Sequence, residues 1–116
     1  MKELFLNYEL SVLAKQHGFV EPCFARYIKK EFRFAALGGV TNFSGEQPNQ
    51  ISAPLFDQII DWFMDKHKIF ATVTYNPKQG FGGLIEYENG DFSLIEYNEN
   101  KYTILKKIIQ KAFEKI

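Results

Sequence analysis

Three sets of side chains in this 116-residue chain have the types and spacing for chemistry. Asp57, Asp61 and Asp65 recur every fourth residue, which on a helix stacks three carboxylates along one face. Hard cations such as Ca²⁺ and Mg²⁺ seek such oxygens. The same row also repels itself weakly, and a solvated helix face carries charge without any metal. Cys23 with His17 or His67 would pair a thiol nucleophile with a base. No third, orienting group accompanies them, and Cys23 follows Pro22 at the head of a strand-like run, where a free thiol packs into the core. Gly80-Phe81-Gly82-Gly83 is rich in glycine, but a strand follows it and not a helix. It lacks the helix N-terminus that cradles phosphate, and such glycines serve a turn, a bulge or a close backbone approach. With one Cys and two His, a Cys/His zinc site cannot be completed in one chain. No catalytic residue, metal or cofactor is expected.

Charge restricts the partners. The chain carries 14 basic and 14 acidic residues, a net charge of zero, which disfavours general nucleic-acid binding and attraction to anionic membranes. The charges are unevenly placed. Residues 84–100 hold five acidic and no basic side chains, whereas 101–116 hold five Lys and one Glu. Arg26, Lys29, Lys30 and Arg33 form a second basic cluster. Aromatics make up 16% of the chain, twelve of them Phe, more than one small core plainly needs. Phe43, Trp62 and Tyr97, with Lys106, Lys107 and Lys111, are therefore the residues expected to make an interaction surface.

The elements that must position these residues are read from periodicity. Asn7 can cap a helix Tyr8–His17, with Gly18 as its left-handed terminator and Phe19 as the hydrophobic contact beyond it. Cys23–Ile28 and Glu31–Leu37 read as strands turning at Lys29-Lys30, and Gly38–Gln50 as an irregular segment. Ile51–Tyr75 organises the whole. Ser52 caps a helix with Pro54 in its first turn, and Leu55, Phe56, Ile59, Ile60, Phe63 and Met64 fall at helical spacing. Ile69–Tyr75 then alternates as a strand. Asn89-Gly90 predicts a two-residue type I′ hairpin pairing Tyr87 with Phe92, Ile85 with Leu94 and Leu84 with Ile95. In that register Phe92 and Leu94 face the core, and the two Leu-Ile-Glu-Tyr copies present opposite faces. Asn100 caps a last helix with an apolar stripe from Ile104 to Ile116.

The expected fold is α+β, one domain over 1–116, in the order α-β-β-α-β-β-β-α. It has one antiparallel sheet of about five strands with helices on one face. No apolar run reaches the ~20 residues of a membrane helix, and Met1–Leu6 is too charged for a signal peptide; the expectation is a cytoplasmic protein.

Gly18-Phe19, Glu21-Pro22-Cys23, Ile51-Ser52-Ala53-Pro54, Trp62-Phe63 and Lys66-His67 together resemble a group of small uncharacterised proteins of Bacteroidetes genomes, their phages and mobile elements. That resemblance implies a source and an architecture and transfers no site. The expected function is non-enzymatic protein binding, as an adaptor or a homo-oligomer. A nucleic-acid-binding accessory protein using the basic clusters is the alternative, and a small enzyme using Cys23 or the Asp row the third.

Overall fold

A computed structural model of the chain describes residues 1–35, 42 and 49–116. The fold is α+β, but its strands form two three-stranded antiparallel sheets and not one sheet of about five. The chain divides into two compact units, Met1–Phe56 and Asp57–Ile116.

In the first unit, α1 (Tyr8–Gln16) starts as expected, with the Asn7 side chain accepting from the Leu10 N–H at 2.9 Å. It ends in a Schellman motif. The Phe19 N–H donates to the Ala14 carbonyl at 2.9 Å and the Gly18 N–H to Lys15 at 3.2 Å. Strands β1 (Ala25–Ile28) and β2 (Glu31–Phe34) turn at Lys29-Lys30, as the alternation predicts. A further strand, β3 (Gln50–Ala53), pairs with the other edge of β1 and was not foreseen. It absorbs Ser52, which lies opposite Arg26 in the ladder and does not cap a helix. Ile51 and Ala53 face the same way as Tyr27 and Ala25, and this burial outweighs the local capping preference. Pro54, which lacks an N–H, ends the ladder, and its carbonyl accepts from Leu6 N at 2.9 Å. Phe5, Ala25, Tyr27 and Ala53 form the buried cluster, with Tyr8, Phe32, Ile51 and Leu55 packed against it. The opposite face carries Arg26 beside Arg33. Gln50 and Glu31 take their guanidinium groups at 2.8 and 2.6 Å.

The helix α2 spans Phe56–His67 and so begins later than Ser52 and Pro54 predict. Strands β4 (Ile69–Asn76), β5 (Gly80–Tyr87) and β6 (Phe92–Asn98) follow as a meander, and α3 (Lys101–Phe113) closes the chain. The Asn100 side chain accepts from Tyr102 and Thr103 N–H, the expected cap. In the second unit α3 lies on one face of the sheet. A Cβ on Gly83 would meet Ile108 Cδ1 at 2.8 Å, so the missing side chain is what lets the helix seat there.

The β5–β6 register differs from expectation by one residue. Leu84 opposes Leu94, Ile85 opposes Ser93 and Glu86 opposes Phe92. The loop is the reason. Only Gly90, at φ +92°, is left-handed, whereas a type I′ turn needs Asn89 there too. Asn89 instead takes the Asp91 N–H on its side chain at 3.0 Å, and Tyr87 N–H donates to Asp91 O at 2.9 Å. The result is a three-residue loop ending in a left-handed glycine. A one-residue slip moves every side chain to the other face. The two Leu-Ile-Glu-Tyr copies therefore share a face through Leu84 and Leu94, contrary to expectation.

Candidate functional site

The slip creates the most distinctive surface of the second unit. Ile69, Ala71, Val73, Gly83, Ile85 and Ile95 lie on the face that α3 covers. The other face is built in rows across the three strands. Phe70, Glu86 and Phe92 make the first row, and Thr72, Leu84 and Leu94 the second. In the third, Gly82 follows Thr74, and the register shifts beside it, between Phe81 and Gly83. Tyr97 lies across that glycine, its Cε1 3.0 Å from where a Cβ would sit. Phe92 and Leu94 are 63% and 71% exposed, Phe70 and Tyr97 43% and 45%. Four large apolar side chains on one sheet face amount to a patch of the order of several hundred Å², the scale at which exposed apolar surface marks an interface. Glu86, Glu88, Asp91, Glu96 and Glu99 are all exposed, so every charged side chain that the β5–β6 hairpin itself carries is a carboxylate.

Of the residues expected at an interaction surface, Tyr97 lies on this face. Trp62 does not contribute: it is buried, with its ring 5.1 Å from Phe63 and 4.8 Å from His67. Spacing alone places Trp62 at the edge of the α2 stripe; packing beside Phe63, itself 4.8 Å from Phe113, takes it into the core. Phe43 lies outside the described residues. Lys106, Lys107 and Lys111 are exposed on α3, away from the apolar face. Phe92 and Leu94 were missed because the type I′ reading of Asn89-Gly90 turned β6 over, and without them Phe70 and Leu84 formed no patch.

The chemical candidates do not assemble. Asp57, Asp61 and Asp65 are all exposed, and no group of three metal-ligating residues occurs among the described residues. Cys23 is fully buried, its thiol directed at the Glu21 carbonyl at 3.5 Å. His67 packs its ring against Trp62. The glycines Gly80–Gly83 open β5, with no helix following. Among the described residues, no helix is long and apolar enough to cross a membrane. No protein-family model, curated protein or solved structure matches the chain, so the functional reading rests on the geometry of the β4–β6 face.

Proposed function

We propose that this is a non-enzymatic adaptor domain that binds a protein partner through the open β4–β5–β6 face. The observation that carries the reading is the pair Phe92 and Leu94, 63% and 71% exposed on the open face of the sheet, with Phe70 and Tyr97 on the same face. A sheet holding such side chains in water gains on covering them, at about 25 cal/mol per Å² before the costs of association. The acidic hairpin around them selects the occupant: an extended or helical segment with apolar anchors and Lys or Arg at its flanks. A second copy presenting the same face would bring two acidic hairpins together, which disfavours the homodimer. The resemblance to mobile-element proteins and a cytoplasmic location belong to the same proposal.

Panning a displayed peptide library against the chain and against Phe92→Ser/Leu94→Ser tests it. Apolar peptides with basic flanks, captured by the parent chain and lost with the double variant, are the expected result. Equal capture by both proteins would sink the proposal. Sedimentation of the two proteins checks self-association in the same samples.

The exposed Lys106, Lys107 and Lys111 support the alternative, a nucleic-acid contact along α3. It predicts binding that falls steeply with salt and disappears in Lys106→Gln/Lys107→Gln/Lys111→Gln.

A further inference from the structure

The first unit holds a cleft of about 330 Å³ lined by Tyr8, Tyr27, Lys29, Lys30, Asn49 and Ile51. Its volume falls within the range of small-molecule sites, about 300–1,000 Å³. Two tyrosine rings wall it, 5.6 Å apart and nearly perpendicular at 82°. Tyr27 is immobilised: its buried hydroxyl donates to the Leu6 carbonyl at 2.8 Å. The Lys30 ammonium stands 5.8 Å from the centre of the Tyr8 ring.

The turn that brings the lysines there is strained. Lys29 and Lys30 sit at φ +51° and +69°, the left-handed region that Asn and Gly occupy at little cost and lysine does not. Among the described residues neither has a carboxylate partner, so no ion pair offsets that strain. Among the described residues, no acidic side chain lines the cleft, and the charge of Glu9 acts on its Tyr27 wall. Two cations with no carboxylate partner among the described residues, on a turn that would be more stable without them and beside two aromatic rings, form a pattern that packing does not require.

We propose that this cleft binds a nucleotide, with the base against Tyr8 and the phosphate between the Lys29 and Lys30 ammonium groups. Bases of any identity stack on an aromatic ring, and lysine neutralises a phosphate without demanding fixed geometry. The Asn49 amide supplies one donor and one acceptor set for a base edge. The ligand is a free nucleotide or one unit of a single strand. The inference is independent of the β4–β6 reading, since it uses only residues of the other unit.

The test is an NMR titration of the full chain with 5′-AMP, with a thymidine hexanucleotide and with inorganic phosphate. Saturable shifts at Tyr8, Tyr27, Lys29 and Lys30 with 5′-AMP are expected, with inorganic phosphate at least about tenfold weaker because it cannot stack. A hexanucleotide that binds about tenfold tighter than 5′-AMP, and loses affinity with salt, assigns the site to a strand; equal affinities assign it to the free nucleotide. Phosphate binding as tightly as 5′-AMP, or no saturable shift with either nucleotide at millimolar concentration, overturns the proposal. Lys29→Asn/Lys30→Gly relaxes the turn and removes both charges. It should melt at higher temperature yet bind at least about tenfold more weakly, a combination that a purely structural turn would not produce. Unchanged affinity in that variant also overturns the proposal. Tyr8→Leu should weaken 5′-AMP and leave phosphate unaffected.

Discussion

The two hairpins of this protein invert their sequence signals. Asn89-Gly90 is the dipeptide favoured for a type I′ turn, yet the β5–β6 loop has three residues and only Gly90 is left-handed. Lys29-Lys30 has no such preference, yet Ile28 pairs with Glu31 across it and both lysines adopt positive φ. Turn propensity is worth about 1 kcal/mol, whereas the face a strand presents decides whether several apolar side chains are buried. In β5–β6 the close approach of Ile108 to Gly83 holds Gly83, Ile85 and Ile95 under α3, and the loop follows. In β1–β2 the pairing of Tyr27 with Phe32 and of Ala25 with Phe34 keeps the aromatic face together, and the lysines take the strain.

The largest expected effect breaks the β5–β6 register reading. Ile85 is fully buried, and Ile85→Ala should cost about 2–5 kcal/mol in urea denaturation. Leu94→Ala should change stability by less than about 0.5 kcal/mol, because Leu94 lies on the open face. Had the type I′ register held, Leu94 would face the core and both substitutions would be costly.

In the other hairpin, Tyr27→Phe strands a buried carbonyl at Leu6 and should cost about 1–3 kcal/mol. Burial, and then the charge of Glu9, hold the Tyr27 phenol above its usual value of 10.0. The folded chain thus keeps this proton more tightly than the unfolded one. Its contribution to stability is full below about pH 10 and is lost as pH rises through the folded value. Denaturation curves at pH 8 to 11 should show a loss in the parent chain whose Tyr27 part is missing from the Phe variant.

The turns themselves give the smaller effects. Gly90→Ala places a side chain at φ +92° and should cost about 1–2 kcal/mol. Lys29→Asn/Lys30→Gly should gain about 1 kcal/mol by relieving the strain at both lysines. If the double substitution destabilised instead, the cation–π contact of Lys30 with Tyr8 would outweigh the turn strain.

Local chemistry was legible wherever it acted alone. Asn7 and Asn100 cap their helices, Gly18 and Phe19 terminate α1, and the alternation of Ile69–Tyr75 gives β4. Ser52-Ala53-Pro54 misled because a cap and a strand end use the same residues, and pairing with β1 decided between them. Trp62 misled because an aromatic at the edge of a helical stripe can face either way until its neighbours are packed. The open face was hidden for a related reason. Phe92-Ser93-Leu94-Ile95 has apolar residues on both parities, so only the register says which two are exposed.

The α+β class, the helix caps at Asn7 and Asn100 and the β4–β5–β6 meander were fixed by residue order alone. These follow from short-range preferences and from hydrophobic periodicity. The tertiary structure alone decided that there are two sheets, that Trp62 is core and that Phe92 and Leu94 face outward. Each of these depends on which distant strand or helix is in contact, and burial of that contact outweighs a turn or cap preference by several kcal/mol.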